Sequence, residues 1–231
     1  MRGRVWAFTV GCVWGAVWAS PAFAQVCRGT APFGRVAGDY GFRAALVLPE
    51  RGTGFAGDFT WAPSANLVLD LGAAFVSDVR DPFDNVDVWQ FGGDGAFRFY
   101  AARDEEFPLD VCLATGFRFY VKSDLPDGYD ENGFILPIGV SLGNDFPLGE
   151  SRVRIAPYFN PMFAVQRRNR DRPAPQADQE ETDGLFYVDF GVSFVFPRGW
   201  YLGLGIALGD GARVPSGDTE FRIRGGWVAG R

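Results

Sequence analysis

The feature that most constrains this chain is a two-residue rhythm. From Leu109 onward, Leu109, Val111, Leu113, Thr115, Phe117, Phe119 and Val121 are mostly apolar, while Asp110, Cys112, Ala114, Gly116, Arg118, Tyr120 and Lys122 between them are polar or small. Successive side chains of a β-strand point to opposite faces, so such a run reads as a strand with one apolar and one polar face. The split recurs at 184–197, where Phe186, Val188, Phe190, Val192, Phe194 and Phe196 oppose Tyr187, Asp189, Gly191 and Ser193. It recurs again at 152–166, where Val153, Ile155, Phe159, Phe163 and Val165 oppose Arg154, Tyr158, Asn160 and Gln166. Extending the pattern gives ten predicted strands, near 35–48, 54–62, 67–79, 86–102, 109–122, 133–146, 152–166, 185–196, 200–211 and 220–230, with eight as the alternative count. The aromatic content, 23 Phe, 7 Trp and 7 Tyr, suits pleated surfaces, and 31 Gly with 15 Pro supply the breaks between them.

The joins alternate as well. Those at 63–66, 103–108, 147–151 and 197–199 read as tight turns, whereas 49–53, 80–85, 123–132, 167–184 and 212–219 read as longer, acidic loops. Short turns at one end and long loops at the other characterise an up-and-down barrel in an outer membrane. A soluble barrel would hide its apolar face inside, and a membrane barrel turns that face to lipid. Volume favours the second arrangement, because four or five Phe, Leu, Val or Ile side chains from each strand would overfill a ten-strand interior. The opposite face is also poor in charge for a surface in water: strand 200–211 offers Gly203, Gly205, Ala207 and Gly209 against Leu202, Leu204, Ile206 and Leu208. The predicted class is therefore all-β, an up-and-down antiparallel transmembrane β-barrel, with a soluble barrel or sandwich as the competing arrangement.

The first residues read as an export signal. Arg2 and Arg4 precede an apolar run from Val5 to Ala19, and Ala22-Phe23-Ala24 forms an A-x-A cleavage site. The run falls short of the roughly 20 residues a bilayer-spanning helix needs. The predicted organisation is a signal peptide at 1–24, a periplasmic N-terminal tail at 25–34 and a barrel domain at 35–231. The formal net charge is −6, and loss of the two leader arginines makes the rest more acidic, so there is no electrostatic case for nucleic acid. There is no histidine, which removes the commonest general base and the usual zinc ligand.

With its leader MRGRVWAFTVGCVWGAVWASPAFA, strands such as LDVCLATGFRFYVK and GLFYVDFGVSFVF, and acidic loops, the chain resembles the small bacterial outer-membrane β-barrel proteins, the broad OmpA/OmpX/OmpW-like group, over residues 33–231. The resemblance implies location in the bacterial outer membrane, insertion by the barrel-assembly machinery, a periplasmic N-terminus and long loops outside. Members often end on an aromatic residue, whereas this sequence ends WVAGR after Trp227.

Chemistry-bearing motifs are few. Gly52-x-Gly54-x-x-Gly57 has dinucleotide spacing, but Asp58-Phe59-Thr60-Trp61 continues extended where the motif requires a helix, so a hairpin loop is expected and no cofactor. The acids Asp124, Asp127, Asp130 and Glu131 lack EF-hand spacing and read as a solvated loop. The polar face collects Asp39, Arg43, Asp58, Asp70, Asp94, Arg98, Asp110, Arg118, Asp189, Arg222 and Arg224, joined by Tyr100, Tyr120, Tyr158 and Tyr187. Opposite charges in a narrow interior should pair, and arginine's planar fork suits carboxylates. Two outcomes follow from that set: a salt-bridged plug or a charged path for small solutes. Nothing singles out a pair of carboxylates for acid–base catalysis.

Three further expectations concern contacts. A turn centred near Glu106 would set Asp94 opposite Arg118. Cys27 and Cys112 fall near the same barrel mouth and either form a bridge or stay free, since first and fifth strands lie on opposite sides of a ten-strand ring. The join 167–184 opens with Arg167, Arg168, Arg170 and Arg172 and closes with acids, which reads either as a contact for outer-membrane lipid and lipopolysaccharide or as a solvated loop. The functional expectation is a monomeric, non-enzymatic barrel whose external loops serve binding, adhesion or envelope integrity; the alternative is a narrow channel for small solutes.

Overall fold

The computed structural model describes residues 27, 38–50, 52–79, 85–101, 109–149, 152–173, 176, 178–209 and 219–229. The signal peptide 1–24, the tail apart from Cys27, and most of the joins 80–85, 103–108 and 212–219 lie outside the described residues.

Ten long strands form a closed antiparallel ring. They are β1 (Tyr40–Pro49), β2 (Thr53–Ser64), β3 (Leu67–Val79), β4 (Val86–Tyr100), β5 (Asp110–Ser123), β6 (Asp130–Gly143), β8 (Arg154–Asp171), β9 (Gln179–Val195), β10 (Trp200–Gly209) and β11 (Thr219–Val228). The two-residue β7 (Phe146–Pro147) only pairs with the start of β8. Each strand pairs with its neighbour in sequence, β6 pairs with β8, and β1 pairs with β11 from Gly41↔Val228 to Pro49↔Glu220, which closes the sheet. Full closure leaves no sheet edge along the paired lengths, the condition a β structure must meet to cross lipid.

The alternation sets the faces. Leu71 is 63% exposed and Phe117 55%, both pointing outward, while Arg118 at 6% and Asp189 at 1% point inward. Phe119, Phe163, Phe186 and Phe190 are exposed outside, and Phe194 is half-buried there. The interior is less uniformly polar than the sequence suggested. Val47, Val76, Val79, Val88, Ile135, Met162 and Leu185 pack inside with Tyr120 and Tyr187, and a second cluster of Ala62, Val68, Val195, Tyr201 and Val228 lies toward the end where β1 begins and β11 terminates.

Two expectations about joins need correction. The segment 167–184 is mostly strand: β8 runs to Asp171 and β9 begins at Gln179, so the join shrinks to 172–178. Cross-strand partners of opposite charge, such as Arg168↔Glu181, let the ladder continue through polar sequence that lacks the apolar alternation. Similarly, Asp130 and Glu131 open β6 and do not belong to a loop. At the β1–β2 turn Gly52 has φ +107°, a left-handed conformation that explains its glycine without any nucleotide.

The β4–β5 register also differs from expectation. Asp94 faces Gly116, and Gly92 faces Arg118, with a bulge between Arg98 and Tyr100. A slip of two residues leaves every side chain on its own face, so the inward set is preserved. Prolines interrupt the ladders beside β6. Pro137 sits where β5–β6 pairing skips from Thr115↔Ile138 to Arg118↔Ile135, and Pro161 where β6–β8 pairing skips from Gly139↔Met162 to Leu142↔Phe159. Proline has no N–H to donate.

Candidate functional site

The inward-facing charges gather into linked ion pairs between nearby strands along the inner wall of the ring. Arg43 on β1 lies directly opposite Asp58 on β2, and its Nε donates to Asp58 Oδ2 at 2.9 Å. Its Nη2 also lies 3.9 Å from Asp70 Oδ1. Asp70 accepts a hydrogen bond from Thr60 Oγ1, its register partner on β2. On its other side Asp70 faces Asp94 across β3–β4. Two carboxylates in that position repel, and the arrangement holds because Arg43 serves the first while Arg118 Nη2 donates to the second at 3.2 Å. The Arg118–Asp94 contact is diagonal. It is accommodated because Gly116 has no side chain: a Cβ there would overlap Asp94 Oδ1, just as one on Gly72 would overlap Asp58 Oδ1.

A second group centres on Asp189. Its Oδ2 accepts from Arg222 Nη1 at 3.2 Å, and its Oδ1 accepts from the Tyr158 hydroxyl at 3.3 Å and lies 3.7 Å from Arg224 Nη2. Arg222 also pairs with Glu220, and Arg224 donates to Tyr158 Oη with its guanidinium carbon 5.1 Å from that ring's centroid. All of these residues are buried. A buried charge is tolerable when its partner is close and the remaining polar atoms are hydrogen-bonded, which this arrangement provides for Asp189.

At the terminus-bearing end, Arg98 lies 3.7 Å from Asp110 and its Nη2 donates to Ala65 O at 2.9 Å and to Asn66 Oδ1 at 3.1 Å. Close by, Cys112 on β5 is disulfide-bonded to Cys27, which precedes the first strand, with Cα atoms 6.0 Å apart, and both are buried against Ala96. Asp39 is buried just before β1, and its carbonyl accepts from Ala62 N at 2.8 Å. The structure thus brings Arg43, Asp58, Asp70, Asp94 and Arg118 into one group, Asp189, Arg222 and Arg224 into another, and Arg98 with Asp110 into a third.

Sequence reasoning missed a fourth group at the opposite end. Lys122 Nζ lies 2.7 Å from Glu131 Oε1, and Arg170 Nη2 lies 2.6 Å from Glu131 Oε2. Lys122 and Glu131 are fully buried. The available signal was that Lys122 is the chain's single lysine and sits on the inward face of β5. Beyond this group the arginines expected on a free loop are paired along the β8–β9 ribbon. Arg167 meets Glu180, Arg168 Nη2 donates to Asp183 Oδ2 at 3.2 Å, and Arg172 donates to Gln179 Oε1.

Between the charged groups is a polar cavity of about 70 Å³ lined by Arg43, Asp58, Gln90, Asp94, Arg118 and Arg222, among others, which has room for a few waters. Outside, a band of large apolar side chains encircles the ring, including Phe42, Phe55, Leu71, Phe91, Phe117, Ile138, Phe163, Phe186, Leu204 and Phe221. Aromatics with polar tips stand at the terminus-bearing edge of the band. Tyr40 faces Trp61 across β1–β2, Trp200 faces Trp227 across β10–β11, and the Tyr40 and Trp227 ring centroids are 6.5 Å apart. Continuous apolar surface of this extent on a closed barrel suits hydrocarbon and not water, with Trp and Tyr at the boundary.

No protein-family profile matches the chain, and no curated protein matches it. Among solved structures, the crystal structure of Neisserial surface protein A is similar with 14% identity and a TM-score of 0.37, covering 82% of this chain and 94% of that one. The β domain of the Bordetella autotransporter BrkA is similar with 9% identity and a TM-score of 0.29, covering 83% of this chain and 98% of that one.

Proposed function

We propose that this chain is a non-enzymatic bacterial outer-membrane β-barrel whose lumen is plugged by ion pairs and apolar packing, and whose work is done at its surface. The observation that supports this reading is the combination of faces: an apolar band outside a closed ten-strand ring, and carboxylates inside that are held by arginines. The termini-bearing end would lie in the periplasm and the β8–β9 ribbon outside, the polarity that export and assembly by the barrel-assembly machinery would give. Acid–base catalysis finds no support, because histidine is absent and the buried carboxylates of the lumen are engaged by cations. Envelope integrity is the role that fits best, with the barrel acting as a monomer. The ribbon would meet the outer leaflet through residues such as Arg167, which is half-exposed beside Glu180, and its ligand would be lipopolysaccharide phosphate or a surface partner.

The narrow channel remains the second reading, favoured by the polar cavity beside Arg118 and Arg222. One experiment separates the two. Protein purified from an outer-membrane fraction, showing heat-modifiable gel mobility, is added to a planar bilayer. A plugged barrel gives no resolvable steps, whereas discrete, reproducible conductance steps would establish the channel.

A further inference from the structure

Inside the ring, small inward side chains are concentrated at one level. Ala45, Ala56 and Ala74 stand side by side on β1, β2 and β3, and in the next row Gly72 and Gly92 separate Asp58 from Arg118. On either side of this level the inward residues are larger. Val47, Val76 and Val88 follow toward the β1–β2 turn, and Thr60, Asp70 and Asp94 toward the end where β1 begins. The space left between is the cavity of about 70 Å³ beside the ion pairs. Its two glycines have no room for a side chain, since a Cβ on Gly72 would overlap Asp58 Oδ1 and one on Gly92 would press on Phe117 O and Arg118 Cγ.

We infer that this cavity binds one small zwitterion, an amino acid of the size of glycine; the inference rests on the barrel reading above and gives its lumen a solute class. Size sets the first limit. At roughly 10–15 Å³ for each water, the cavity holds about five, which is as many non-hydrogen atoms as glycine has. Charge sets the second. The linked pairs around Arg43 and Asp189 hold four guanidiniums and five carboxylates. A lone anion would add to that negative excess, and a lone cation would meet four guanidiniums, whereas a zwitterion brings no net charge and offers each sign a partner. The wall carries the groups it needs. Among the described residues Arg118 Nη1, Arg222 Nη2 and Glu220 Oε2 have no hydrogen-bond partner, and the side chains that bear them are more than nine-tenths buried and line the cavity. The first two are donors suited to a carboxylate, and the third is an acceptor suited to an ammonium. Asp58 and Asp94, the most exposed of the five carboxylates at 25% and 14%, add negative wall for the same ammonium. The methyls of Ala45, Ala56 and Ala74 meet the single methylene and leave no room for a longer side chain.

The test is equilibrium dialysis of the whole barrel, refolded in detergent to its heat-modifiable form, against radiolabelled glycine. One glycine per barrel is expected. Acetate and methylammonium should each compete at least about tenfold more weakly than unlabelled glycine, because each leaves one sign of partner unserved. Ala56→Leu, which fills the cavity with an apolar side chain, should abolish binding. The competition is read on the wild type and does not depend on that variant folding. Acetate competing as well as glycine would overturn the proposal in favour of an anion site, and methylammonium competing as well would overturn it in favour of a cation site. Absence of saturable glycine binding would leave the cavity to water, and equal binding by heat-modifiable Ala56→Leu would put the glycine elsewhere; either result overturns the site. If the wild type never becomes heat-modifiable, the outer-membrane reading itself fails, a result distinct from a folded barrel that binds no glycine.

Discussion

Replacing Asp189 by Asn probes the lumen plug most directly. The carboxylate receives Arg222 at 3.2 Å and the Tyr158 hydroxyl at 3.3 Å, with Arg224 at 3.7 Å, and it is 1% exposed. Asparagine keeps the shape and one acceptor but removes the charge, which leaves Arg222 and Arg224 facing each other with Glu220 as the near anion. Removing one partner of a buried ion pair costs about 3–5 kcal/mol, most of it the penalty of the uncompensated charge. With a urea dependence of about 2 kcal/mol per molar, the unfolding midpoint in lipid vesicles should fall by about 1.5–2.5 M. The double variant Asp189→Asn with Arg222→Gln should recover part of the loss, and the cycle should return a coupling of about 0.5–3 kcal/mol. The assay is equilibrium urea unfolding followed by tryptophan emission, with heat-modifiable mobility as a second probe. A midpoint within about 0.3 M of wild type for the single variant, which is under about 1 kcal/mol, would refute the argument that these charges are buried and mutually dependent.

Leu71→Arg should cost about 2–4 kcal/mol in vesicles if Leu71 faces the bilayer midplane, whereas on a water-soluble barrel a residue 63% exposed would tolerate it with little change; vesicle unfolding titrations decide. Cys27→Ser should lower stability by about 4 kcal/mol on the chain-entropy model, because the bridge to Cys112 closes a loop spanning 85 positions. Thiol labelling of denatured, unreduced wild type checks the premise, since two reactive thiols would remove it. Glu131→Gln should leave Lys122 and Arg170 without their shared anion and loosen the ends of β5, β6 and β8, seen as faster proteolysis near 124–129 with the band-embedded strands still protected.

The barrel was legible in the sequence because its strongest signal is geometric. A run such as 109–122 fixes both a strand and its two faces, and the ring needs nothing more than ten of them with antiparallel joins. What alternation cannot report is where a strand stops once it leaves the apolar band. The stretch Gln166 to Gly184 carries no apolar face, and only the pairing of Arg167 with Glu180 and Arg168 with Asp183 shows that it continues as a ribbon. The inward charges were identifiable one by one, and their partners were not, because partners depend on register. Asp94 meets Arg118 diagonally and not face to face, through room that Gly116 leaves. The inward Val47 and Val76 escaped notice for a related reason: at 44–48 and 73–76 the strands read as apolar on both faces, and period-two logic then has no polar face to assign.

The β1–β11 ladder ties the ring together with residues from the two extremes of the sequence. Nine of the ten seams join long strands that follow one another in the sequence and can form as soon as both have been synthesised, but the β1–β11 seam has to wait for β11. Until then the protein is an open sheet with two unsatisfied margins, the form most exposed to wrong partners. Contacts between such distant residues are slow to find, so closure of this seam should govern the rate at which the native barrel accumulates, with the earlier hairpins in place long before. A chaperone or assembly factor that shields the margins of β1 and β11 would therefore act on the step that matters most for yield.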